Sequence, residues 1–168
     1  MFKFLVVFLL ILAACNQNTS TNSVSESAQK AQEKWKEKLY QANREYESVL
    51  NLGTYPLKSL LKSPSSFKLA SALINEVWST RKDPGVWSIG KTDSLILLTS
   101  QYGKDSNSYK KVAGLRERYK SSGLSKKGFV IQAEYDAQNS YGATLRQSSI
   151  VEIDSSKGLY AIDGHVYR

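Results

Sequence analysis

The order of apolar and polar positions divides the chain into distinct regimes. Phe4 to Leu12 is an unbroken run of nine apolar residues. That is too short for a transmembrane helix, which needs about 20 such residues to cross roughly 30 Å of hydrocarbon. Asn16 to Ser25 follows, rich in Ser, Thr and Asn and without apolar period, the composition of a flexible tether spanning roughly 17–20 Å r.m.s.. From Glu26 the period becomes helical. Trp35, Leu39, Ala42, Tyr46 and Val49 recur at steps of four and three, which predicts an amphipathic helix over 26–53 stopped by Gly53. Glu26 and Lys30 add an i,i+4 pair. Two heptads are too few to specify a coiled coil, so the stripe is read as packing on the chain's own sheet. A second short helix is expected over 55–62, with Pro56 in its first turn and Pro64 at its end.

Beyond Pro64 the period becomes two. Phe67, Leu69, Ser71 and Leu73 alternate with Lys68, Ala70 and Ala72, and this strand extends to Trp78. Pro84-Gly85 marks a turn, "VWSIG" a strand, and "SLILLTS" a strand apolar on both faces, as central strands are. Phe129, Ile131, Ala133, Tyr135 and Ala137 share one face of the next strand; Ala143, Leu145, Val151 and Ile153 share one face of its partner. A five-residue loop, Gln138 to Gly142, keeps the two faces in phase and sets Ala137 opposite Ala143 and Glu134 opposite Arg146. A last strand runs from about Gly158 to Val166 after a Ser155-Ser156 turn. The expected fold is α+β, with an N-terminal amphipathic helix and a short second helix on an antiparallel sheet of about 4–6 strands. Its domain is expected over 54–168.

Composition changes the reading at the N-terminus. Cys15 is the only cysteine, which excludes an intrachain disulfide and a thiolate zinc cluster. Met1-Phe2-Lys3 supplies a minimal basic n-region before the apolar run. Leu12-Ala13-Ala14-Cys15 then resembles the lipobox of bacterial lipoproteins at all four positions. The resemblance implies a signal peptide over 1–14, removed on export, and acylation of Cys15, with 15–25 as the lipidated cysteine and tether. Several acyl chains anchor firmly, since each buried CH₂ contributes about 0.8 kcal/mol. The localisation implied is the cell envelope. Asn16 is not the aspartate that retains lipoproteins at an inner membrane, so the outer membrane is favoured in a two-membraned source.

"LLKSPSSFKL" at 60–69 and "YDAQNSYGATLR" at 135–146 together resemble a domain of small secreted or lipid-anchored bacterial and phage proteins. In it a Pro-Ser-Ser turn leads into a strand, and a later strand carries an Ala-Gln-Asn-aromatic-Gly hairpin. That resemblance implies a compact α+β body and no particular activity. Asn139 and Gly142 suit a turn, and Tyr141 at its tip is a candidate contact residue.

Candidate chemistry is sparse. His165 is the only histidine, and no nucleophile elbow, phosphate loop or metal-ligand spacing accompanies it. The carboxylate pairs Glu134/Asp136 and Glu152/Asp154 fall on outward strand positions, where solvated charge is the ordinary state. No catalytic residue, cofactor or metal site is assigned, and a non-enzymatic protein is expected. Charge is more informative. The net charge is +8, and residues 104–127 hold eight bases against two acids. Lys110, Lys111, Arg116, Arg118, Lys120, Lys126 and Lys127 are therefore candidates for binding an anionic partner. An exported, anchored chain seldom meets nucleic acid, which disfavours that partner. The function expected is an envelope lipoprotein serving as a binding module for a protein or an anionic envelope polymer. The alternatives are an exclusion or immunity lipoprotein of a phage or plasmid and, less favoured, an envelope hydrolase.

Overall fold

The computed structural model describes residues 18–80, 94–154 and 158–167. The signal segment, Cys15, the Pro84-Gly85 turn, the "VWSIG" strand with Trp87 and the Ser155-Ser156 turn lie outside them. The chain divides into two compact units, one ending at Lys38 and one beginning at Leu39. In the first, Lys30 pairs with Glu26 at 2.7 Å, and the Lys38 ammonium stands 5.0 Å from the Trp35 ring centre.

Helix α1 runs from Asn18 to Leu60, well past both boundaries expected for it. Asn18 to Ser25, expected in the tether, are helical, and Gly53 does not stop the helix. The expected second helix over 55–62 is instead largely its C-terminal continuation. The reason lies in packing. Ala42, Tyr46, Val49 and Leu57 are buried in the core, and Gly53 falls on the same stripe. A Cβ on Gly53 would stand 2.3 Å from Ile131 Cδ1, so this glycine lets the helix approach the sheet. Pro56 lies inside the helix and leaves the Leu52 carbonyl without its i+4 donor. Burial of Leu57 beyond that break carries the helix across it, as tertiary packing commonly outweighs propensity.

The expected α+β class is the one observed: helices packed on one antiparallel sheet, which among the described residues has six strands in the order β2-β1-β3-β4-β5-β6. The strands are β1 (Lys68–Ser79), β2 (Ser94–Leu98), β3 (Ser125–Gln138), β4 (Thr144–Asp154), β5 (Gly158–Ile162) and β6 (His165–Val166). Helix α2 (Ser106–Ser121) connects β2 to β3. The core lies under the helices, where Ile74, Trp78, Ile96, Leu98, Phe129, Ile131, Ala133 and Tyr135 meet α1 and Val112 of α2. On the opposite face Val77 and Val130 form a smaller buried pair against Leu95.

Three strand expectations are corrected. The "SLILLTS" strand, β2, expected to be central, is an edge strand among the described residues. It is apolar on both faces because Ile96 and Leu98 enter the main core while Leu95 joins the smaller cluster. The β3–β4 register differs by two residues from the expected one. Ala137 faces Leu145, and Arg146 faces Asp136 in place of Glu134. The loop still has five residues, Asn139 to Ala143, because Asn139 closes it: its N–H donates to the Ala143 carbonyl and its Oδ1 accepts from the Tyr141 and Ala143 N–H groups. Gly142 takes φ +82. A two-residue slip keeps every side chain on its expected face. Finally, the last strand is two. Asp163 and Gly164 take φ 48 and 79, a two-residue hairpin turn. The Asp163 carboxylate accepts from the Ile150 N–H at 2.7 Å, tying this turn to β4.

Two glycines should separate steric from conformational effects. A Cβ on Gly103 would lie 2.1 Å from the Asn43 backbone nitrogen, whereas at Gly114 nothing lies within 4 Å. Gly103→Ala should destabilise the fold by about 1–3 kcal/mol through backbone displacement. Gly114→Ala, in the interior of α2, should stabilise it by about 0.5–1 kcal/mol. Urea unfolding of the two variants beside the parent measures both.

Candidate functional site

The basic segment builds α2 and the start of β3. Asp105 caps the helix, its Oδ2 accepting from the Ser108 N–H at 2.7 Å, and that bond holds its carboxyl below the usual range. The helix ends where Gly123 takes φ +77 and the Leu124 N–H donates to the Tyr119 carbonyl, a glycine C-cap. Between these ends Tyr109, Val112, Leu115 and Tyr119 pack on the core. Arg116 shares their phase.

Arg116 is therefore not a surface cation. It lies between two carboxylates from different elements. Its Nη2 donates to Glu45 Oε1 and Oε2 of α1 at 2.9 and 3.0 Å. Its Nε donates to Glu76 Oε2 of β1 at 3.0 Å, and its Nη2 also donates to Glu76 Oε1. Glu76 is fully buried, and the Trp78 indole N–H donates to its Oε2 at 3.2 Å. Tyr102 completes the group: its hydroxyl donates to Glu45 at 3.0 Å and accepts from Arg116 Nη1 at 2.7 Å. Lys126 stands 3.4 Å from Glu45 and 3.6 Å from Glu76, its ammonium 4.9 Å from the Phe129 ring centre.

The electrostatics follow. Burial raises the Glu45 carboxyl, but the Arg116 charge and hydrogen bonds outweigh it, so Glu45 sits below its ordinary value. The Tyr102 phenol is pushed up by burial and by the neighbouring carboxylates. Arg116 is raised despite burial, by its bonds to Glu76. A cleft of about 390 Å³ opens beside the group, lined by Trp78, Arg116, Lys120, Leu124, Ser125 and Lys126. Its cations already face acids, since Lys120 pairs with Glu117 at 2.9 Å.

Of the seven basic candidates, the structure thus withdraws Arg116 and Lys126 into the fold. Lys110, Lys111, Arg118 and Lys120 are exposed along α2, and Lys127 is half-buried on β3. Tyr141 is 93 % exposed at the hairpin tip. His165 is exposed on β6. Asp136 receives a two-bonded contact from Arg146, at 2.5 and 3.2 Å, and that pairing holds its carboxyl low. Glu134 accepts from Ser71 Oγ at 3.1 Å. Glu152, expected on a solvated face, is buried, in register with Val130 and Ala161. Among the described residues no acidic, histidine or cysteine group is placed to hold a metal, and no helix is long and apolar enough to cross a membrane.

Glu45, Glu76 and Tyr102 are not among the residues that composition or motif singles out. Their signal is phase: Glu76 falls between Ile74 and Trp78 in a core-facing alternation, and Arg116 falls in the stripe 109, 112, 116, 119. Opposite charges at two core-phase positions mark a buried pair. The structure also joins the two quoted motifs. The Gln138 N–H of the hairpin donates to Ser66 Oγ of the Pro64–Ser66 turn at 3.0 Å, and Phe67 packs on Tyr135 with ring centres 5.1 Å apart.

Compared with family models, curated proteins and solved structures, the chain matches none.

Removing Arg116 takes away the bonded cation of buried Glu76 and leaves only Lys126 at 3.6 Å, so Arg116→Met should cost about 3–5 kcal/mol. Lys111→Gln, on the exposed face, should stay within about 0.5 kcal/mol. Denaturant titration at neutral pH compares them. Because the folded value of Glu45 lies below its unfolded one, its contribution is complete above about pH 4.5 and is lost as pH falls through the folded value. Unfolding midpoints from pH 7 down to pH 3 should decline in that lower window, and the decline should shrink in Glu45→Gln.

Proposed function

We propose that the protein is a lipid-anchored envelope protein whose α+β body is a non-enzymatic binding module for a protein or an anionic envelope partner. One observation carries the anchor: Leu12-Ala13-Ala14-Cys15 ends a nine-residue apolar run and a polar stretch begins at Asn16. A cysteine at that junction is the residue a lipoprotein signal requires. Acylation would hold the body at a membrane surface, the outer membrane in a two-membraned source. The meeting of the Pro64–Ser66 turn and the 138–143 hairpin supports the likeness to small secreted and lipid-anchored domains.

Binding is assigned to the exposed cations Lys110, Lys111, Arg118, Lys120 and Lys127. With Arg116 and Lys126 answered by Glu45 and Glu76, these five and Lys104 make up the rest of the segment's eight bases, Lys120 among them paired with Glu117. Tyr141 is a second contact candidate, for a protein partner.

Two measurements test the reading. Cells fed an acyl-chain analogue should label the wild-type protein and not Cys15→Ser; equal labelling, or an intact Met1 on the wild type, would refute the anchor. Solubilised protein should bind vesicles containing anionic lipid, and Lys110→Gln/Arg118→Gln/Lys127→Gln should bind them several-fold more weakly. Salt near 0.5 M should weaken wild-type binding likewise, since the Debye length then falls to about 4 Å. Undiminished binding by the triple variant at low salt would assign these cations to solubility alone.

A further inference from the structure

Between α2 and the outer edge of β2 lies a partly enclosed cavity of about 170 Å³, with Leu97, Thr99, Ser108, Lys111, Val112 and Leu115 in its lining. Its volume is close to the roughly 150 Å³ of an apolar cavity that accepts benzene. Part of its wall is apolar: Val112 is buried and Leu115 packs against the same core.

The rest is polar, and strand geometry shows how. The Leu95 carbonyl accepts from the Tyr119 hydroxyl at 3.3 Å, so it points away from β1. Along an antiparallel strand the N–H and C=O of alternate residues point to the same side. Pairing of β2 with β1 is regular from Ser94 to Leu98. Leu97 therefore turns its N–H and C=O outward as Leu95 does, toward the helix and the cavity. Thr99 and Ser108 add hydroxyls, and Lys111 adds an ammonium. The lining contains no acid. Asp105 is near in sequence but does not line the cavity, its carboxylate accepting from the Ser108 N–H at the start of α2, so Lys111 is the charged residue of the lining.

We propose that this cavity binds a short aliphatic carboxylate. The carboxylate accepts from Leu97 N–H and pairs with Lys111, and a tail of about four carbons lies against Val112 and Leu115, as the volume allows. Charge sets the selectivity: an amine of the same length meets Lys111, and an ester loses the ion pair. The site shares Lys111 with the cations assigned above but uses neither the anchor nor Lys110, Arg118 or Lys127, so the valerate test and the vesicle test with the triple variant can fail separately.

Saturation-transfer NMR on the full chain in maltoside detergent, with valerate, methyl valerate and pentylamine as probes, tests it. Valerate should bind with a Kd of about 1–10 mM, in keeping with so few atoms. Methyl valerate and pentylamine should bind far more weakly. Lys111→Gln should weaken valerate about fivefold, as for a partly exposed ion pair, and Val112→Phe, which fills the cavity, should abolish binding while the fold is retained. If Val112→Phe does not fold, the exposed Lys111→Gln variant and the ester comparison decide. Absence of valerate transfer in the millimolar range overturns the proposal. So does equal binding of the ester, or valerate binding unchanged in both Lys111→Gln and a folded Val112→Phe.

Discussion

A carboxylate buried in an apolar sheet interior must find a cation and hydrogen-bond donors, or it costs several kcal/mol. Glu76 is that carboxylate here, fully buried, and meeting its requirement orders much of the surrounding structure. The guanidinium that answers it lies 40 residues away in sequence, and reaches Glu45 71 residues away. One planar side chain thus fixes the rotation of α2, the position of α1 and the core face of β1 together. Hydrophobic contact between smooth stripes would tolerate sliding; a guanidinium bonded to two carboxylates and a phenol does not.

Close approach complements that geometry. Side chains missing at Gly53, Gly103 and Gly128 let backbone or core atoms come within distances that a Cβ would forbid, most severely at Gly128, where one would stand 1.9 Å from the Ile153 carbonyl oxygen. Around this framework the hairpin and the Pro64–Ser66 turn are joined by one backbone donor and one ring contact. The result separates two populations of charge. Cations with core phase are paired inside the fold, and those on the outer side of α2 are exposed.

The same separation explains why the charge count overstates the exposed positive charge. A run of eight bases against two acids in 104–127 registers no acid from elsewhere in the chain, yet Glu45 and Glu76 neutralise two of those bases in the fold. Conversely, the cavity beside β2 has no sequence signature, because its polar wall is strand backbone and its apolar wall is a helix face.

Periodicity alone determined the faces: the stripe 42, 46 and 49 of α1, the inward series 129–137 of β3 and the α+β class, with the five-residue hairpin loop expected at 138–142 and found one residue later, at 139–143. Local chemistry at the Leu12-to-Cys15 junction is the sole ground of the proposed anchor. Tertiary structure decided the rest. It carried α1 through Gly53 and Pro56, because burial of Leu57 outweighs local breakers. It set β2 at an edge among the described residues, with its two apolar faces covered by the main core and by the smaller cluster. It chose the β3–β4 register, because a shift of two residues leaves every side chain on its face, so hydrophobic patterning cannot distinguish the alternatives and the Asn139 hydrogen bonds must. And it turned Arg116 inward, because a buried charge is settled by partners that only folding brings within reach.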